Sequence, residues 1–152
     1  MFIGIDNGVS GGIVGLDHRG EVLLARAMPI CKEFQRRRVD AVELAGLLKN
    51  ATMVVYERPT GSQSASAAAS MADSFAVVDT VLRVNNIRRL AITSQKWQKH
   101  YWSKVDDTKA EALRVANGLW PSENWLATER SKKPHDGIVD AALIAYWAKT
   151  KA

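Results

Sequence analysis

Phe2-Ile3-Gly4-Ile5-Asp6 and Met53-Val54-Val55-Tyr56-Glu57 are two short apolar runs, each closed by a carboxylate. Runs of this length without polar alternation predict strands buried on both faces. A carboxylate at the end of such a strand leaves water at a cost, and must find a counter-charge or take up a proton. A third apolar stretch, Ala141 to Trp147, is preceded by Asp136 and Asp140. If these four acids converge they repel one another, and a divalent cation with its preference for oxygen ligands resolves the conflict. The first expectation is a metal-dependent enzyme.

Working outward, Asn7 to Gly12 supplies turn chemistry after the first strand, and a second strand follows at about 12 to 17. Asp17-His18-Arg19-Gly20 turns the chain into a third strand, Glu21 to Ala27, so the spacing predicts an antiparallel meander ended by Pro29. Asp40 can cap a helix whose apolar side is Val42, Leu44, Ala45, Leu47 and Leu48. After the strand at 53 to 57, a long helix is predicted from Ser64 to Val84, alanine-rich at first and carrying Phe75, Val78, Val81 and Leu82 for packing on a sheet. A fifth strand, Arg88 to Ile92, leads through Thr93-Ser94-Gln95 into a helical turn, Lys96 to Trp102. Helices near Asp107 to Leu119 and His135 to Ala148 complete the chain, separated by an irregular stretch that turns basic toward Lys133. Strands joined by helical crossovers after a meander indicate one α/β domain spanning 1–152, with a mixed sheet flanked by helices.

At 152 residues, 47% hydrophobic and 24% charged, the chain has the size and balance of a folded domain able to bury its own core. No apolar run approaching the length of a bilayer span is evident, and no signal-type segment opens the chain, so the expected location is the cytosol without membrane attachment. The single cysteine, Cys31, provides neither an internal disulfide nor a cysteine zinc site. The net charge of +5 points toward a polyanionic partner, nucleic acid first.

On this map Asp6 and Glu57 end two strands that can lie side by side, and Asp136 and Asp140 are four apart on one helix face. Two Mg²⁺ ions, or Mn²⁺ in their place, held about 4 Å apart by such acids activate a water and stabilise the leaving oxygen of a phosphodiester. Arg36, Arg37 and Arg38 fall in a predicted loop, and Lys99 and Lys104 recur beside Trp97, His100, Tyr101 and Trp102, a composition suited to phosphates and DNA. Trp97, Trp120, Trp125 and Trp147 themselves read as core or interface residues.

Gly4-Ile5-Asp6-Asn7-Gly8, Ser10-Gly11-Gly12-Ile13, Val54 to Pro59 and His135 to Ala145 together resemble, in order and spacing, the RuvC-type Holliday junction resolvases, particularly their small phage-like members. The resemblance covers nearly the whole chain. It implies a ribonuclease H-like fold, a five-stranded mixed sheet, and a homodimer that cuts two strands of a four-way DNA junction, leaving 5′-phosphates and 3′-hydroxyls. It also assigns Asp6, Glu57, Asp136 and Asp140 as the metal-binding carboxylates and sets Lys109, at the start of a helix, near the active site for phosphate contact or charge stabilisation. His135 reads as a capping neighbour rather than a ligand. Two other functions share these features: a nuclease acting on RNA in RNA–DNA hybrids, and a DNA-binding module without catalysis. Gly4 to Gly8 also resembles the phosphate loop of actin-like and sugar-kinase ATPases, which need two such domains and hence a longer chain.

Overall fold

A computed structural model describes residues 1–61 and 64–151. The meander forms as its turns require. Strand β1 (Phe2–Asp6) runs antiparallel to β2 (Gly12–Leu16), and β2 antiparallel to β3 (Val22–Ala27). Asp17 organises the second turn, its Oδ1 accepting from the amides of Arg19, Gly20 and Glu21. A hairpin of β4 (Ile30–Glu33) and β5 (Arg36–Val39) follows, then α1 (Ala41–Leu47) and β6 (Met53–Glu57). Helix α2 (Ala65–Val84), β7 (Arg89–Ile92), α3 (Ser94–Tyr101), α4 (Thr108–Leu119) and α5 (Asp136–Lys151) complete the order.

The five-stranded sheet has the order β3-β2-β1-β6-β7, with β6 parallel to both β1 and β7. Its strands alternate between two cores, as the period of two demands. Ile3, Ile5, Ile13, Val54 and Tyr56 face α1 and α2, while Val14, Leu16, Met53 and Val55 face α3, α4 and α5. Helix α5 is buried nearly all round, which explains its lack of an amphipathic pattern. It lies against Gly4, where a Cβ would collide with the backbones of Ala141 and Ala145.

Three expectations are corrected. Arg36, Arg37 and Arg38 are in strand β5 of a hairpin, not in a loop. Val42 is 84% exposed, and α1 packs through Leu44, with the buried Leu48 at its C-cap. Helix α2, at 20 residues, is as long and apolar as a bilayer-crossing segment, contrary to the reading that no segment approaches that length. Its chemistry is that of a sheet-packing helix all the same. Ser74, Val78, Val81 and Leu82 are buried, and Asp73 and Asp79 pair with Arg38 and Arg89. Smaller shifts occur at ends: Thr93 takes the N-cap position of α3 without a side-chain bond, and α5 starts at Asp136 and runs to Lys151.

Candidate active site

The parallel register of β1 and β6, with Ile5 opposite Tyr56, brings Asp6 and Glu57 to the same end of adjacent strands. Helix α5 delivers the other two acids. Its first turn meets the β1–β2 connection backbone to backbone, with Gly11 bridged to Gly137. A Cβ on Gly137 would lie 2.6 Å from the carbonyl carbon of Gly11, so only glycine permits this approach. His135 closes the helix end, its carbonyl accepting from the amides of Ile138 and Val139 and its Nδ1 from Ile138 at 3.3 Å. That is the capping role expected of it.

The electrostatics register the convergence. Burial first, then the charges of Asp140, Glu57 and Asp136, push Asp6 well above the usual carboxylate range, with Lys109 opposing. Burial, Glu57 and Asp136 push Asp140 up to about 7. Glu57 is raised by burial and partly restored by a hydrogen bond from the indole Nε1 of Trp97, at 2.9 Å. Trp97 is wholly buried on α3, a helix fastened to α5 by the Tyr101 hydroxyl, which donates to the Leu143 carbonyl at 2.6 Å. Lys109, in the first turn of α4, donates to Asp136 at 2.7 Å. Asp107 sets that turn by accepting from the amides of Lys109 and Ala110.

Lys109 therefore acts on Asp6, Asp136 and Asp140 while Glu57 has only the Trp97 indole, an excess of negative charge that a divalent cation would balance. The donor set is all oxygen, as Mg²⁺ and Mn²⁺ prefer. Among the described residues no three acids, histidines or cysteines close into a finished coordination sphere. Asp136 is turned onto Lys109 and Glu57 onto Trp97. Such an open arrangement suits Mg²⁺, which keeps several waters and takes one or two carboxylates together with substrate phosphates. The residues offer oxygen donors of the kind such an ion takes, without forming a cage.

A cleft of about 220 Å³ adjoins the acids, lined by Lys109, Lys133, Asp136 and Asp140 with Leu113 and Val139 as its wall. In the sequence Lys133 carries no signal beyond its basic stretch, and Trp97 reads only as a core or interface residue. Neither role had a local signal, because each depends on a contact with a distant segment. Beside Asp6, the Asn7 amide is buried with neither atom hydrogen-bonded; nothing in the structure explains it.

The basic residues divide by location. Arg36 is exposed, and Arg37 donates to the Val9 carbonyl at 3.3 Å, in the loop that follows Asp6. Arg38 is engaged by two carboxylates, Asp73 at 2.7 Å and Glu33 at 3.0 Å, which balance its charge. Lys99 and Lys104 are exposed along a separate groove beside Trp102.

No family model and no curated protein matches the chain. Solved structures do. Thermus thermophilus RuvC in complex with Holliday junction substrate aligns over 98% of this chain and 94% of its own, with a TM-score of 0.68 and 14% identity. A second Thermus thermophilus RuvC structure aligns over 98% and 95%, with a TM-score of 0.60 and 17% identity. The fold is thus ribonuclease H-like of the RuvC type, as the sequence motifs implied.

Proposed function

We propose that this chain is a metal-dependent, structure-selective DNA endonuclease that resolves four-way junctions and acts on related branched DNA in the cytosol. The observation that carries the reading is the convergence of Asp6, Glu57, Asp136 and Asp140 at one end of the sheet, with charge left over for cations. The fold shared with junction resolvases supports it. When bound, two Mg²⁺ or Mn²⁺ ions supply Lewis acidity to the attacking water and the leaving oxygen. Asp6, Glu57, Asp136 and Asp140 hold those ions. Trp97 keeps the Glu57 carboxylate oriented, and Lys109 and Lys133 offer positive charge where a scissile phosphate enters the cleft. Because Lys109 is already bonded to Asp136, a phosphate competing for the lysine frees that carboxylate for a cation.

A four-way junction has two equivalent strands, which a two-fold dimer cuts with one site each. The homodimer is proposed through the first half of α2. Ala65, Ala67, Ala68, Ala69 and Ala72 are all exposed there, rather than covered by the parent sheet, and allow a second helix to approach closely.

The test is incubation with Mg²⁺ or Mn²⁺ and labelled four-way junction, fork, flap, duplex and RNA–DNA hybrid substrates. Paired symmetric nicks in the junction are expected. Selective loss of the RNA strand would reassign the chain to hybrid cleavage, and binding without cleavage at any metal concentration would make it a binding module.

A further inference from the structure

The hairpin β4–β5 stands outside the five-stranded sheet and is rooted at the edge that carries the acids. Its base is tied there, the Met28 amide donating to Gly11 and the Asp40 amide to Pro29. Its strands pair Ile30 with Val39 through Glu33 with Arg36, so the tip lies about 10 Å beyond the base. Arg37 holds it to the loop after Asp6 and Arg38 to Asp73 on α2.

At the tip sits Phe34, 87% exposed, the most exposed of the large hydrophobic side chains. Phe34 and Gln35 have φ of 49° and 60°, so both central residues of this two-residue turn occupy the left-handed region. Hairpin turns of that kind favour Asn and Gly, and a phenylalanine there is strained. A residue that loses stability both by exposure of its ring and by strain of its backbone is explained by a task outside the folded chain. The ring is flanked in the turn by Gln35 and followed along the strand by Arg36 and Arg37, groups that bind phosphate. A flat apolar ring beside phosphate-binding cations matches a strand with unpaired bases: the cations take the backbone and the ring takes a base face.

We infer that the β4–β5 hairpin is a DNA-binding arm in which Phe34 stacks on an unpaired base while Arg36 and Arg37 hold the adjoining phosphates. This rests on the nuclease reading and names the feature of the substrate that the arm detects, an unstacked base near the scissile strand.

Binding is measured in an Asp140→Asn background, with a four-way junction carrying unpaired thymines at its centre and with continuous duplex of the same length. Phe34→Ala is expected to weaken junction binding roughly 5- to 100-fold and leave duplex binding within about twofold, since only an exposed base offers a face to stack on. Phe34→Trp retains junction binding, and Phe34→Leu does not. The double variant Phe34→Asn, Gln35→Gly relaxes the turn and raises the melting temperature while losing junction selectivity, a pair of changes that a merely structural tip would not produce. Equal losses on junction and duplex, or junction affinity within twofold of the parent, would overturn the arm while leaving cleavage by the wild-type protein intact. A shift from dimer to monomer in sedimentation without DNA would also overturn it, assigning Phe34 to a protein interface. Failure of the wild-type protein to bind or cut any branched DNA would sink the nuclease reading, and the arm with it.

Discussion

Asp6 and Asp140 sit where their charge is least welcome, and that makes them testable singly. Asp6→Asn, Glu57→Gln, Asp136→Asn and Asp140→Asn are each expected to lower junction cleavage by several orders of magnitude with binding largely kept, read by single-turnover cleavage beside gel-shift affinity. Without metal, Asp6→Asn and Asp140→Asn should melt higher than the parent, because repulsion is relieved. The same shifts fix a pH dependence. Asp140 binds its proton up to about pH 7 in the folded chain but loses it near the ordinary carboxylate value when unfolded. The folded state therefore holds more protons between those limits, and metal-free stability falls as pH rises from about 4 to 7. Melting temperatures in chelator should show that decline, and saturating Mg²⁺ or Mn²⁺ should flatten it. A decline of equal slope in Asp140→Asn would refute the assignment. Trp97 acts on Glu57 rather than on substrate. Trp97→Phe removes the indole donor and is expected to cost roughly 10- to 100-fold in metal affinity or activity, with little further loss in a Glu57→Gln background. Additive losses in that cycle would make Trp97 a packing residue only.

The elements that build the site were legible where local chemistry agreed with tertiary placement. Strands β1 and β6 are apolar along their whole length and stop at their acids, and Asp40 and Asp107 cap helices where the apolar pattern begins. The hairpin β4–β5 was not legible. Its turn is Phe34-Gln35, with no glycine, asparagine or aspartate to announce positive φ, and its strands are mostly polar because only Val39, at the base, enters the core. The contact between α5 and the β1–β2 connection was half legible. Gly11, Gly12 and Gly137 stood in the motifs, but the reason for them is a backbone approach between segments 126 residues apart in sequence, Gly11 and Gly137. Gly137→Ala tests that contact. A methyl there must push the first turn of α5 off the sheet, at roughly 1–3 kcal/mol of stability. Displacing Asp136 and Asp140 by about 1 Å is expected to lower cleavage on the order of a hundredfold. Chemical denaturation and cleavage rate read the two effects on one variant, and a destabilised protein that cuts at the parental rate would dissociate the contact from the site.

At the scale of the whole molecule the sheet separates two surfaces of different character. On one side α3, α4 and α5 enclose the tryptophan-rich core and set the cleft with its acids and lysines. On the other, α2 spends its second half on the sheet, where Tyr56 donates to Asp79 at 2.5 Å, and leaves its first half uncovered. That division gives a dimer through α2 a physical basis: the buried half fixes the helix, and the exposed alanines receive a partner without displacing any packed side chain. Bulk at Ala68 then separates dimerisation from folding, since the residue touches no core. Ala68→Phe is expected to leave the melting temperature near the parent's, to shift sedimentation toward monomer, and to convert paired cleavage of a four-way junction into accumulation of singly nicked product. The nicked intermediate accumulates because a monomer must dissociate and rebind before it reaches the second strand, whereas two linked sites meet both strands in one encounter. A wild-type protein that sediments as a monomer both free and on junction DNA, yet releases both cuts together, would refute the α2 dimer.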